Sequence, residues 1–327
     1  MSLRSAIRLF THMQLLPILE SGEETLVGGQ AVMEGVMMRA PHSYCVAVRK
    51  PSGEIVTEEM PLARMSEQYP IFKYPIFRGL GTLYQALKLG GRALKFSANA
   101  ALEEPEKEKQ ATQKEMPSWA VAAPIVFSFA FYVFAYKFVP LFLATKLRTV
   151  YPMLENRMAF NVVDGLIRLT ILLTLLFVLS RMKDIRRIFE YHGAEHKVVF
   201  NFESGQPVNI ENAQKFTTYH PRCGTSFLFV VFLLCIPAYA LIPFDGFVAK
   251  FVSRIALIPV ITGLAYELIR FAARRRGSFL ATLAAPGLWM QRITTKPPAD
   301  DQADVAIKAL EGAMSLEKSQ GGQLVIA

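Results

Sequence analysis

Four long apolar windows alternate with polar and basic segments along the chain. Trp119 to Leu143 carries Lys137 as its only charge, and Cys223 to Phe244 carries none. Met158 to Ser180 and Phe251 to Ala273 are also long enough, with Asp164 and Arg168 in the first and Arg254, Glu267 and Arg270 in the second. A helix needs about 20 mostly apolar residues to cross a bilayer, so the pattern predicts four transmembrane helices. Ser278 to Gln291 is uncharged but broken by Pro286 and Gly287. It is too short to cross and reads as an interfacial or re-entrant segment.

Ahead of these windows the period changes. Tyr44 to Arg49 and Glu54 to Met60 flank Pro51-Ser52-Gly53, which predicts a β-hairpin in a small N-terminal domain. Further on, Leu83, Tyr84, Leu87 and Leu94 recur at helical spacing with Lys88, Arg92 and Lys95 on another face. This is a basic amphipathic helix that either lies on anionic lipid or covers the small domain, and its nearness to the first span favours lipid. The expected class is an α-helical integral membrane protein with a small N-terminal α+β domain. Its parts are the small domain (1–70), the amphipathic helix (71–102), a charged linker (103–117), the membrane bundle (118–296) and a polar C-terminal tail (297–327). One amphipathic helix is expected within the tail, from Asp304 to Lys318.

Composition agrees with the pattern. Of 327 residues, 52% are hydrophobic and 19% charged, with a mean hydropathy of +0.28, against about 25% charged in soluble domains. Three cysteines, Cys45, Cys223 and Cys235, imply no disulfide framework, and no cleavage site follows Arg4 and Arg8 to suggest a signal peptide. Most of the net charge of +9 belongs to the segments outside the apolar windows. Seven Lys and Arg fall between Arg181 and Arg222 and fourteen precede Trp119, but only three lie between Lys146 and Arg157. By the positive-inside rule both termini and the middle loop (181–222) face the cytoplasm of a bacterial inner membrane. With the charge explained this way and no binding motif in view, nucleic acid is not an expected partner; the bilayer is.

The ionisable residues inside the windows have local partners by spacing. Asp164 and Arg168 are four apart, and Glu267 and Arg270 three apart, so each acid can meet its base on its own helix. They form a polar path in the bundle, or they snorkel to headgroups.

The middle loop holds the densest chemistry. With no breaker before Gly193, the second span is expected to continue as a helix through Tyr191-His192-Gly193-Ala194-Glu195-His196. His192 and His196 then share a face and can bind one metal ion, and the order His-x-x-Glu-His puts Glu195 where an inverted zincin carries its general base. His220-Pro221-Arg222-Cys223 adds an imidazole and a thiol directly before the third span. Four protein ligands would make a closed structural Zn²⁺ site, and three would leave a position for catalysis. The plainer alternative is that the histidines are interfacial polar groups and Cys223 simply begins a buried helix. A further segment, Val27 to Pro41, has three glycines but no Gly-Lys-Ser/Thr, which excludes a Walker phosphate loop. Within it Glu34 and Arg39 are candidates for a carboxylate and an anion clamp, or for the exposed face of a strand. Arg78-Gly79 and Trp289-Met290-Gln291-Arg292 read as anchors at a membrane surface.

Four ordered motifs resemble the bacterial YqhQ-like membrane proteins: Gly28 to Arg39, Tyr191 to Lys197, His220 to Ser226 and Pro286 to Thr295. The resemblance runs from about Val27 to Pro298. It implies a multipass inner-membrane protein and a predicted metal-dependent enzyme, and its motif falls on His192, Glu195, His196, His220 and Cys223 without departure. The leading expectation is a membrane-embedded hydrolase. Its Zn²⁺, or another divalent transition metal, is held by His192, His196 and one or both of His220 and Cys223. Glu195 is the base, Glu34 and Arg39 position the substrate, and the substrate is amphiphilic or membrane-linked. The alternatives are a non-catalytic scaffold or assembly factor with a structural metal, or a transporter working through Asp164, Arg168, Glu267 and Arg270.

Overall fold

The computed structural model describes residues 27–63, 65–102, 126–128, 130–220, 223–274 and 279–319. Part of the first apolar window, the charged linker, Pro221, Arg222 and Ser278 lie outside these residues. Four strands are present: β1 (Gly28–Val32), β2 (Gly35–Arg39), β3 (Ser43–Arg49) and β4 (Ile55–Pro61). The helices discussed below are α1 (Phe77–Leu102), α2 (Val126–Arg148), α3 (Arg157–Leu179), α4 (Lys183–Glu203), α5 (Ile210–Lys215), α6 (Gly224–Ala240), α7 (Phe247–Ala256), α8 (Ile258–Arg274), α9 (Phe279–Thr294) and α10 (Asp300–Ser319). Two compact units result, one drawn from residues up to 103, 179–230 and 263 onward, the other from 104–178 and 231–262.

In the first unit the strands form an antiparallel meander in the order β1-β2-β3-β4. The expected hairpin is β3 with β4, closed where Gly53 takes φ +89°, a conformation that suits a residue without Cβ. A second hairpin, β1 with β2, occupies the glycine-rich segment. Side chains alternate across a strand, and here both faces are buried. Val36, Met38, Cys45 and Ala47 face one way, against Tyr191, Ala194 and Val198 of α4 and Val305, Ala309 and Leu310 of α10. Met37, Tyr44, Val46 and Val48 face the other way, against Leu89, Ala93 and Ala100 of α1.

One reading changes here, and the helix expected from Asp304 to Lys318 is present. Helix α1 covers the sheet, although its nearness to the first span favours lipid. Its buried stripe, Gln85, Leu89, Ala93, Ser97 and Ala100, is small and partly polar, and Tyr84, Leu87 and Leu94 point outward. The tail from 297 contains α10, whose Ala303, Ala306, Ala309 and Ala313 are fully buried. Gly312 lets its backbone approach β3, since a Cβ there would stand 2.6 Å from Cys45 Sγ. Glu317 fastens its far end. The carboxylate accepts from the His42 amide at 2.9 Å and lies 2.9 Å from Ser43 Oγ.

In the second unit α2 and α3 are each 23 residues and apolar enough to cross a membrane. The Phe251 to Ala273 window is not one straight helix: α7 and α8 meet at 45° across Leu257. Pro259 explains the break, because its ring and missing N–H cannot continue α7 but suit the first turn of a new helix. Counted as one, the bent pair is a third candidate span; α6, at 17 residues, is a shorter apolar helix with Pro237 inside it. Asp164 accepts from Arg168 at 2.7 Å, as the spacing predicts, and also from Arg254 at 2.8 Å. All three side chains are buried within this unit, so they do not snorkel. Glu267, in the first unit, is paired with Arg78 at 2.6 Å, not with Arg270, and Arg78 is therefore an ion-pair partner of α8.

Candidate metal centre

The expected continuous helix from the second span into the histidines is interrupted. Met182 is extended, α3 ends at Leu179, and α4 restarts with Asp184 in its first turn, where a carboxylate favours a helix N-terminus. Nine residues into α4, His192 and His196 lie one turn apart with ring centroids separated by 4.5 Å. Cys223 enters from the residue before α6, its Sγ 3.3 Å from His192 Nε2. Donor atoms of His192, His196 and Cys223 all lie within 4.8 Å of one another. A tetrahedral ion bound at ligand distances of about 2.0–2.3 Å needs donors about 3.3–3.8 Å apart, so a contraction of about 1 Å brings all three within reach of one ion.

The rings are oriented for that role. His192 Nδ1 lies 2.8 Å from the Thr294 carbonyl oxygen, and His196 Nδ1 is hydrogen-bonded to the Thr218 carbonyl oxygen. A carbonyl only accepts, so each Nδ1 carries the hydrogen and each Nε2 is left with its lone pair on the side of Cys223. Backbone carbonyls behind metal-binding histidines commonly fix the tautomer in this way. Burial is the largest influence on His196 and lowers its pKa, partly offset by its hydrogen bond with Cys223. Burial likewise lowers His220 to about 4, with Glu195 opposing. Both imidazoles are therefore neutral near pH 7, the form that binds metal.

Three glycines make the assembly possible. A Cβ at Gly193 would lie 2.0 Å from the Lys296 carbonyl oxygen, so only glycine admits the segment that delivers Thr294 to His192. At Gly29 of β1 a Cβ would meet Glu195 Cγ at 2.6 Å, and at Gly287 it would meet Ser226 Cα at 2.6 Å. The last approach brings α9 against the start of α6. One turn later Gln291, fully buried, accepts from the His220 amide at 2.7 Å and donates to its carbonyl at 2.8 Å.

Glu195, His192, His196, His220, Cys223 and Arg39 all line one cavity of about 220 Å³, together with Gln30 and the apolar Met37, Leu89 and Val199. Glu195 Oε2 stands 3.4 Å from His196 Nε2. His220 is near but outside the three-donor set: its ring packs on Phe200 and its Nε2 lies 3.5 Å from Glu203 Oε2. Arg39 reaches Gln85 at 3.0 Å. Glu34 does not join them. It occupies the β1–β2 turn at φ +51°, is ion-paired with Arg187 at 2.6 Å and accepts from Tyr191 at 3.2 Å, so it fastens the sheet to α4. Sequence reading misses Gln30, Thr218, Thr294 and the Gln291 clamp. In sequence Gln291 reads with Trp289 as a surface anchor; Trp289 is exposed, but Met290 and Gln291 are buried.

Comparison with known proteins adds a family. The sequence model for "Protein of unknown function (DUF1385)" matches residues 74–316. The chain is 34% identical over 297 residues to "Uncharacterized protein YqhQ" of Bacillus subtilis (strain 168), an alignment covering 89% of this chain and 92% of that protein. No solved structure matches.

Proposed function

Because the chain belongs to the DUF1385, YqhQ-like family, whose function is unknown, we propose from the site itself that it is a metal-dependent hydrolase. The observation that carries this reading is the three-donor set with carbonyl-oriented rings opening on a cavity that also holds a buried carboxylate. Three protein ligands favour a catalytic over a closed structural site, which takes four. His192, His196 and Cys223 would hold Zn²⁺ or a similar divalent ion. The bound ion would supply Lewis-acid polarisation and nucleophile activation near neutral pH. Glu195 takes the proton from the attacking water and returns it to the leaving group. Arg39, the cationic group on the cavity wall, orients an anionic or carbonyl-bearing part of the substrate. Met37, Leu89 and Val199 suit an acyl or other apolar portion, so the substrate is amphiphilic or membrane-linked.

We further propose that the chain resides in the bacterial inner membrane with four crossings. They are α2, α3, α6 and the bent α7–α8 pair, with both termini and the 181–222 loop cytoplasmic. At 1.5 Å per residue α6 is about 26 Å long, slightly short of a hydrocarbon core of about 30 Å, a mismatch that flanking residues or local thinning absorb.

The test is zinc content and turnover of the detergent-purified chain, using long-chain p-nitrophenyl esters and phosphodiesters as reporters. Native protein and Glu195→Gln should each hold close to one zinc per chain. His192→Ala and Cys223→Ala should lose it while remaining folded. Only the native protein should turn over a reporter. No bound zinc after anaerobic addition, or full activity in Glu195→Gln, sinks the reading.

A further inference from the structure

The second unit holds a charge imbalance that nothing in the proposed hydrolase uses. Arg168 and Arg254 share the single carboxylate of Asp164, and Lys137 is buried beside them, donating to Tyr239 Oη at 3.1 Å. Three buried cations therefore face one buried carboxylate among the described residues. Lys137 is set there by a π-helical turn, Phe134–Phe138, within α2, a local irregularity that often marks functional sites. Tyr239 sits under both guanidinium groups, 4.8 Å from Arg254 and 5.2 Å from Arg168. Such cation–π contacts attenuate the excess charge but do not neutralise it. The Nε atoms of Arg168 and Arg254 are buried without a hydrogen-bond partner. Buried charges are normally paired, so this arrangement is incomplete as it stands.

Arg254 also lines a cleft whose mouth carries Arg148, Arg157 and Lys250. Against them stand Glu155 on the wall and Asp245, which lies 3.8 Å from Arg157 and 3.7 Å from Lys250. The enclosed part of the cleft is about 10 Å³, room for one water. A larger ligand therefore sits at the mouth, with the buried positive charge behind it.

We propose that this cleft binds an oxyanion of the phosphate class. Guanidinium forks match phosphate oxygens in pairs, and a lysine adds a point charge. Both a phospholipid headgroup and free inorganic phosphate present this chemistry.

The test uses the full chain in detergent, as native protein and as Arg148→Gln and Lys250→Gln at the mouth, with Arg254→Gln as a deeper variant. In one arm, thermal unfolding is compared in sodium phosphate and in sodium chloride of equal ionic strength. In the other, delipidated protein is offered phosphatidylglycerol or phosphatidylcholine and retention is read by native mass spectrometry. Phosphate should raise the native midpoint by about 3 °C or more at saturation, or phosphatidylglycerol should be retained at least about 10-fold over phosphatidylcholine. The first result identifies a free oxyanion and the second a headgroup. Either response must fall in the mouth variants, whose folding is checked by circular dichroism. Equal midpoints in both salts together with equal lipid retention overturn the proposal, as does a response that Arg148→Gln and Lys250→Gln leave unchanged.

Discussion

Gly193→Ala is the sharpest probe of the proposed metal centre, because it replaces none of the donors and acts chiefly through the Lys296 backbone behind them, with Thr218 Cγ2 the next atom at 3.3 Å. The new Cβ would stand 2.0 Å from the Lys296 carbonyl oxygen. An ordinary C···O contact needs about 3.3 Å, so the 294–296 segment must retreat by about 1.3 Å. That retreat carries the Thr294 carbonyl with it and stretches the 2.8 Å bond to His192 Nδ1 beyond hydrogen-bonding range. Losing such an outer-shell partner typically costs about 10–100-fold in metal affinity. The assay is zinc affinity by competition with a chromophoric chelator, with circular dichroism in parallel. Gly91→Ala is the control: it is an exposed helical glycine where an added Cβ would meet nothing within 4 Å, and the change should be neutral or stabilising by up to about 1 kcal/mol. A folded Gly193→Ala protein that binds zinc as tightly as native would refute the argument that the Thr294 carbonyl orients His192.

The other expectations follow from the same geometry. Gly29→Ala pushes on Glu195 Cγ and on the Met37 carbonyl, so it should depress turnover of whichever reporter is hydrolysed while zinc content holds; equal losses of both would contradict the separate role of Glu195. Leu310→Ala empties a buried position between α10 and the sheet and should cost about 2–5 kcal/mol, read by chemical denaturation. Cys45, whose thiol burial raises to about 12 with Glu59 and Glu58 adding to it, should resist maleimide at pH 8 in the folded protein, while half-buried Cys223 reacts in the metal-free form and is protected by zinc. At Glu317 burial opposes the charge, but hydrogen bonds from His42 and Ser43 outweigh it and hold the carboxyl below its ordinary value. A carboxyl depressed by folding contributes stability that is present above its unfolded pKa of about 4.3 and lost as pH falls through the lower folded value. Proteolysis of the α10 end should therefore accelerate at acid pH in native protein, and Glu317→Gln should remove that pH dependence.

Several features are legible in the sequence because they depend on short-range spacing. Residues four apart share a helix face, so His192 and His196 can be paired on paper, and Pro51-Ser52-Gly53 between two alternating runs reads as a hairpin. Partner choice over long range is not legible. Glu267 selects Arg78, 189 positions away, over its helical neighbour Arg270, and Arg254 joins Asp164 from another helix. Apolarity also misleads where buried faces are small rather than hydrophobic. The sheet-facing stripe of α1 includes Gln85 and Ser97 while its leucines at 87 and 94 face outward, and α10 buries chiefly alanines. The helix break at Met182 falls inside a run whose composition alone gives no reason to stop, whereas Pro259 marks the one at Leu257.

The centre itself shows why a motif carries only part of a site. His-x-x-Glu-His supplies two donors and a carboxylate on one helix, but the lone pairs become available to an ion only because Thr294 and Thr218 occupy the other ring nitrogens. Those carbonyls come from the last residue of α9 and from the segment before α6, and the packing requires residues with no side chain, Gly193 against Lys296 and Gly287 against Ser226. Gln291 then fixes the main chain at His220, three residues before Cys223, which limits where the Cys223 side chain can go. The orienting groups are backbone atoms held by helix packing, so the rings are directed before any ion arrives. In the proposed site, metal binding would draw little on folding energy, unlike a small zinc domain whose fold depends on the ion. That preorganisation is what the proposed catalytic reading requires, and a metal whose purpose is only to fasten the loop would not need it.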